Sequence, residues 1–252
     1  MGVSTREVML SVRVAIVTNI PTPYRKGFFA TLSSHPGIEL TVFYCAHIER
    51  GRSWGEQAGS GYSYRFLKGI TLSTSLHINP TLPIELARGR FHTVVVGGYS
   101  YPSAIMALSI SRILGSRVVI WLDGPVGSKA SLLKRMFLGL ADHYIVASTK
   151  ARESLIRLGI KPQMIDVVPL TVDVGAWGGS HPRLPANLDS VFAERQMGRV
   201  ILFCGRFIPV KNIDFVIELA ARMKDLQDVT FLLVGDGPLR GIMQQKVREQ
   251  GL

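Results

Sequence analysis

Residues 199–212 place two cations where phosphate chemistry could be done. An apolar stretch, RVILFC (Arg199–Cys204), runs into Gly205-Arg206; five residues on comes Lys211, and a helical pattern follows. In an open parallel sheet, ligands bind beyond the carboxyl ends of the strands. A helix start adds unpaired N–H groups and the positive end of a dipole. Arg206 can grip a phosphate through two donors, and Lys211 can add a mobile point charge. Together they suit a diphosphate. The competing reading is that both cations solvate a loop.

The elements that must position such a loop follow from the apolar pattern. Plain apolar runs alternate with helical ones. Strands are expected at Val12–Thr18, Glu39–Cys45, Thr93–Val96, Arg117–Leu122, His143–Ala147 and Ile165–Val168, with helices at Tyr24–Leu32, Pro102–Leu114, Lys129–Leu140 and Thr149–Leu158. Continuous β-branched strands alternating with helices imply a parallel sheet wrapped on both faces, an α/β Rossmann-type domain. Between Glu49 and Leu82 the pattern breaks into Gly, Ser and Tyr, as in a long rim excursion. Trp177–Met197 reads as a linker. A second, smaller unit follows: a buried strand Val200–Cys204, helix Asn212–Met223, strand Val229–Val234, a Gly235-Asp236-Gly237-Pro238 turn and helix Leu239–Gln250. The expected domains are therefore 1–176, a linker at 177–198, and 199–252.

Composition narrows the function. With 252 residues, 47% hydrophobic, the chain can bury a real core. It carries a net charge of +11. The excess is concentrated early: residues 1–120 hold 12 Lys/Arg against 5 Asp/Glu. A basic first half suits phosphate-bearing partners or an anionic surface, or it is a solubility trait. No Lys/Arg stripe with interleaved aromatics is present, which argues against nucleic acid. Cys45 and Cys204 lie in apolar runs and read as two buried free thiols of a reducing compartment. The first 21 residues make a poor signal peptide, since Arg13 splits the apolar stretch, and no uncharged run is long enough to span a bilayer. The expected location is the cytoplasm, with peripheral contact at the inner face of the membrane.

GRFIPVKNIDFVIELAARM, followed by VTFLLVGDGPLRGIM, resembles the retaining, GT-B-fold sugar transferases of glycosyltransferase family 4. IDVVPLTVDVGAW (Ile165–Trp177) is similar to the stretch that closes that family's first domain, and VAIVTNIPTPYRKGFF to members with a Pro-x-Pro-Tyr-Arg loop after the first strand. The resemblance implies a GT-B-like fold, a Rossmann-type acceptor domain and a donor domain. It implies that Gly205, Arg206 and Lys211 bind the donor's diphosphate and stabilise it as it departs. It implies no cofactor and no metal, with a nucleotide-diphosphate sugar as substrate. Relatives place a polar group near the reacting sugar after the strand that here ends in Asp123-Gly124-Pro125. Asp123 could orient a sugar hydroxyl or support an oxocarbenium-like transition state, or simply form the turn. Tyr24, Arg25, Gly98 and Tyr99 would line an acceptor cleft, the glycine allowing close approach, or they pack loops. Asp173 matches the family's Val-Asp, but a turn or capping role is the assignment made for it.

The family's later Glu-x7-Glu motif has no match in these residues. The expectation is an acceptor domain with only the first half of a donor domain, which exposes an open edge and apolar helix faces and depends on a partner or aggregates. Three functions follow. The leading one is sugar transfer from a nucleotide-diphosphate sugar to a saccharide or lipid-linked acceptor in cell-envelope or polysaccharide biosynthesis. The others are an inactive binding module and a GT-B-fold nucleotide-sugar epimerase.

Overall fold

The computed structural model describes residues 11–49, 59–72, 76–127, 131–172, 174–175, 198–226 and 228–252. The chain divides into two compact units, Met1–Val174 and Gly175–Leu252. The expected linker, save Gly198, lies outside the described residues, as do Asp173 and the start of the helix expected from Lys129.

In the first unit, strands β1 (Val12–Thr18), β2 (Ile38–Tyr44), β3 (Ser63–Phe66), β6 (Thr93–Gly97), β7 (Arg117–Leu122), β8 (His143–Val146) and β9 (Ile165–Val167) form one sheet. Their order is β3-β2-β1-β6-β7-β8-β9, and every pair is parallel. A two-stranded antiparallel ribbon, β4 (Ile70–Thr71) and β5 (His77–Ile78), lies outside it. Helices α1 (Pro23–Ser33), α2 (Leu82–Gly89), α3 (Pro102–Ile113), α4 (Leu132–Leu138) and α5 (Thr149–Arg157) connect the strands.

Alternate strand residues feed two cores. Ala15, Val17, Val94, Val96, Val118 and Ile120 pack with Leu82 and Leu86 of α2, Ala104, Ala107 and Leu108 of α3, and Leu155 of α5. Ile16, Val42, Tyr44, Val95, Val119 and Trp121 pack with Phe28 and Phe29 of α1 on the other face. Period-2 alternation with both faces apolar requires a doubly wound sheet. Small residues suit α3 to this position: Ser103, Ala104, Ala107 and Ser111 are buried.

The excursion after Glu49 is more ordered than its composition suggests. It holds β3, which pairs with β2, together with the β4–β5 ribbon, and it is followed by α2, which no strong periodicity announced. Helix signals were there: Pro83 in the first turn, Glu85 near the start and Arg88 near the end.

The second unit pairs β10 (Arg199–Cys204) with β11 (Val229–Val234) in parallel, backed by α6 (Ile213–Arg222) and α7 (Arg240–Glu249). Its small core is Phe207, Ile213, Ile217 and Met243. Two expectations fail here. β10 is not a buried strand, since Leu202 is 60% exposed, and Cys204 is exposed, unlike Cys45. The cause is common to both: among the described residues β10 has a strand on one side only and uncovered outward positions.

Asp142 ties β7 to the α4–β8 connection. Its Oδ2 accepts from the Val118 N–H at 2.8 Å and its Oδ1 from Arg112 Nη1 at 2.5 Å. Partial burial pushes its pKa up, but the Val118 N–H and the Arg112 guanidinium outweigh this and hold it below the usual carboxylate value. A depressed folded pKa contributes stability above the unfolded value near 4, and that stability is lost as pH falls through the folded value. Asp142→Asn should lower stability at pH 7 by about 1–2 kcal/mol and flatten the decline below about pH 4. Thermal unfolding from pH 7 to pH 3 checks both.

Candidate functional site

The order of the first sheet reverses between β1 and β6. From β1 the chain turns toward β2 and β3; from β6 it turns toward β7, β8 and β9. Loops diverge at such a point and leave a crevice beyond the carboxyl ends. A cleft of about 340 Å³ opens there, lined by Thr18, Asn19, Thr22, Tyr24 and Arg25 after β1, Glu49 after β2, Gly97, Gly98 and Tyr99 after β6, and Trp121, Asp123, Gly124 and Pro125 around the end of β7. Gly98 has φ 115°, and a Cβ there would stand 3.1 Å from the Tyr101 ring. The left-handed turn and the close ring both favour glycine.

Arg25 organises this cleft. Pro21 and Pro23 stop β1 and start α1, which puts Arg25 in the helix's first turn. Its guanidinium lies 4.6 Å from the Trp121 ring centroid. Phe28, one turn later, packs against the same ring at 5.3 Å. Nη2 donates to both Asp123 oxygens, at 2.8 and 2.7 Å, and Nη1 donates to Thr18 Oγ1 at 3.2 Å. The Arg25 side chain is 11% exposed and that of Asp123 is 48% exposed. A cation in the first turn opposes the helix dipole, and the Asp123 carboxylate beside it offsets this. One side chain thus joins the ends of β1 and β7 across β6.

A second arm comes from the excursion. Asn19 Nδ2 donates to Glu49 Oε1 at 3.3 Å, and His77 Nε2 stands 3.6 Å from the same oxygen. His77 is fully buried, and its Nδ1 lies 3.0 Å from Thr71 Oγ1. Behind it, Asn79 Nδ2 donates to the carbonyls of Cys45 (2.9 Å) and Leu67 (3.2 Å), and Asn79 Oδ1 lies 2.8 Å from Ser103 Oγ. These bonds pin the loops after β2 and β3 to the start of α3, and so fix Glu49 in the cleft wall. Burial pushes the Cys45 thiol up to about 12, so it is an inert core group rather than a nucleophile.

In the second unit, Gly205 and Arg206 follow β10 directly. Lys211 ends a 3-10 turn, Pro209–Lys211, and Asn212 is left-handed at φ 48° before α6 begins. The helix therefore starts one residue later than its sequence pattern suggested, with Lys211 in the turn ahead of it. The Gly235–Gly237 turn lies against this loop. Phe207 N–H donates to Asp236 O at 2.8 Å, and a Cβ on Gly235 would stand 1.9 Å from Gly205 O. Among the described residues the side chains of Arg206 and Lys211 have no hydrogen-bond or ion-pair partner, and Arg206 Nε is buried.

The eight residues singled out in sequence thus follow the carboxyl ends of strands, Tyr24 and Arg25 from the first turn of α1. Tyr24, Arg25, Gly98, Tyr99 and Asp123 share one cleft, while Gly205 with Arg206 and Lys211 form the loop of the other unit. Burial raises the pKa of the Tyr99 phenol. Asn19, Thr22, Glu49 and Trp121 were missed. Asn19 and Thr22 flank the noticed Pro-x-Pro segment, Trp121 is masked by its apolar strand, and Glu49 reaches the cleft only through the fold.

No protein-family model matches the chain. It is 34% identical over 96 residues to the 2-deoxystreptamine glucosyltransferase of Streptomyces kanamyceticus, a stretch covering 38% of this chain and 25% of that protein. Its fold is similar to that of Anabaena HepE, solved with UDP and glucose: TM-score 0.66 at 14% identity, covering 95% of this chain and 67% of that one. It is also similar to a putative UDP-N-acetylglucosamine 2-epimerase from Listeria monocytogenes: TM-score 0.60 at 14% identity, covering 95% and 66%. The chain thus spans a quarter of the curated relative and about two thirds of these solved chains. These likenesses show the fold, a Rossmann-like α/β architecture of GT-B type.

The Arg25–Asp123 contact should behave as a partly buried charge pair and not as a surface one. A double-mutant cycle with Arg25→Met and Asp123→Ala should give a coupling energy of about 1–3 kcal/mol in urea unfolding, against about 0.2–1 for an exposed pair.

Proposed function

We propose that this chain carries the acceptor-side unit and the diphosphate-gripping loop of a retaining glycosyltransferase of family 4 type. In this reading it serves transfer from a nucleotide-diphosphate sugar to a saccharide or lipid-linked acceptor in cell-envelope or polysaccharide biosynthesis. The observation that carries the reading is the loop Gly205–Lys211: two cations past the end of a parallel strand, with no protein anion to satisfy them among the described residues. The glucosyltransferase relative and the UDP-bound fold neighbour support it.

Each part then has a role. Breaking the sugar–diphosphate bond leaves the electron pair on the departing phosphate oxygen. Arg206 and Lys211 meet that charge as it builds, which lowers the barrier without a metal. In the first unit, Asp123 already gives its charge to Arg25. A carboxylate so neutralised exerts a weaker field on an oxocarbenium ion, yet its remaining lone pairs can still accept from a sugar hydroxyl. Orienting the acceptor is therefore its role. Tyr24, Tyr99 and the Gly98 turn shape the same cleft.

The epimerase neighbour favours a second reading on the same fold. Product analysis separates the two: a transferase consumes donor only as acceptor is glycosylated, whereas an epimerase interconverts nucleotide sugars without one.

Calorimetric titration of the chain with UDP and GDP tests the loop. One of them should bind, EDTA should not change its affinity, and Arg206→Ala should weaken it tenfold or more, roughly the worth of a hydrogen bond to a charged group. Equal binding by folded Arg206→Ala would remove the diphosphate assignment.

A further inference from the structure

We propose that α4 is a membrane contact: its outward face seats among the headgroups of an anionic lipid bilayer. The local sequence makes this helix two-sided. Ser131 caps it, its Oγ accepting from the Lys134 N–H at 3.4 Å. Leu138 is buried in the first unit's core, and Phe137 packs against that core. At about 100° per residue, Leu132, Leu133 and Met136 share an arc on the side opposite Leu138. They are 85%, 57% and 55% exposed. Apolar side chains scattered singly over a surface need no explanation, but three large ones on one face of a two-turn helix do.

Charge selects the occupant. Between Gly124 and Ala141 the sequence holds Lys129, Lys134 and Arg135 and no carboxylate. Lys134 and Arg135 lie on either side of the apolar arc, and both are exposed; Arg135 Nη2 donates to Leu158 O at 3.3 Å. Apolar side chains bordered by cations, whose stems can lie along the hydrocarbon boundary, suit a helix seated on anionic lipid. A second copy of the chain, packed face to face, would set these cations against themselves. The apolar patch by itself also offers well under the ~800 Å² per partner of a stable protein interface. Position adds a use. α4 is the next element after the loop that gives Asp123, Gly124 and Pro125 to the cleft. A bilayer against α4 lies beside that cleft, and, resting on the transferase reading, this favours the lipid-linked acceptor over a free saccharide.

The test is co-sedimentation of the full chain with vesicles of phosphatidylcholine alone and of equal parts phosphatidylcholine and phosphatidylglycerol. The chain should bind the mixed vesicles about tenfold or more tighter than phosphatidylcholine. The double variant Leu132→Ser, Leu133→Ser should lose about tenfold or more of that affinity, and Lys134→Gln about fivefold. Hydrogen exchange on the unaltered chain should slow at residues 131–138 when mixed vesicles are added, and this reads the face even where a variant does not fold. Binding of neither vesicle by folded chain would overturn the proposal. So would undiminished binding by the folded double variant, or exchange at 131–138 left unchanged by vesicles that bind. A concentration-dependent dimer that the double variant dissolves would give the face to a second copy and overturn it too. UDP affinity should be the same in these variants. Lost vesicle binding with UDP binding intact would therefore leave the transferase reading standing, and the converse result would sink that reading while leaving the membrane contact.

Discussion

The guanidinium of Arg25 is the constraint on which the candidate cleft depends. A planar cation stacked on an indole cannot stay buried without an anion, and Asp123 supplies it from a different strand end. The consequence is geometric. The first turn of α1, the end of β1 and the loop after β7 are held in fixed relation across the point where the sheet reverses. The Pro-x-Pro segment delivers Arg25 to that position, and Phe28 at the next turn locks the same tryptophan. The cleft is thus assembled by one side chain from elements nearly one hundred residues apart.

A different device shapes the loop in the second unit. There, backbone meets backbone: the turn after β11 lies against the loop after β10, at a distance only glycine permits at position 235. This fixes the path of Gly205–Phe207 while leaving the side chains of Arg206 and Lys211 uncommitted among the described residues. One unit commits its arginine to shape; the other keeps its cations available to a ligand.

Much of this was legible in the sequence, for stated reasons. Continuous β-branched runs gave the parallel strands, because a strand covered on both faces has no polar side to disguise it. Pro102 and the small residues after it gave α3. Loop residues at strand ends were found because a parallel sheet sends its ligands there. What escaped needed three dimensions. β3 (SYRF) is an edge strand with exposed positions and little apolar signal. Glu49 looked like the start of an irregular excursion, and only the buried Asn79–Ser103–His77 bonds fold it back to the cleft. β10 reads as buried because its residues are apolar, whereas its exposure depends on how few strands stand beside it among the described residues.

The donor's diphosphate is assigned to the loop of the second unit, and location tests this more directly than affinity. The measurement is backbone NMR of the isotopically labelled chain, titrated with UDP. UDP is predicted to shift the amides of Gly205–Lys211 and the Gly235–Gly237 turn that rests on them. UDP shifts centred on the Arg25–Asp123 cleft, with the Gly205–Lys211 amides unmoved, would contradict it.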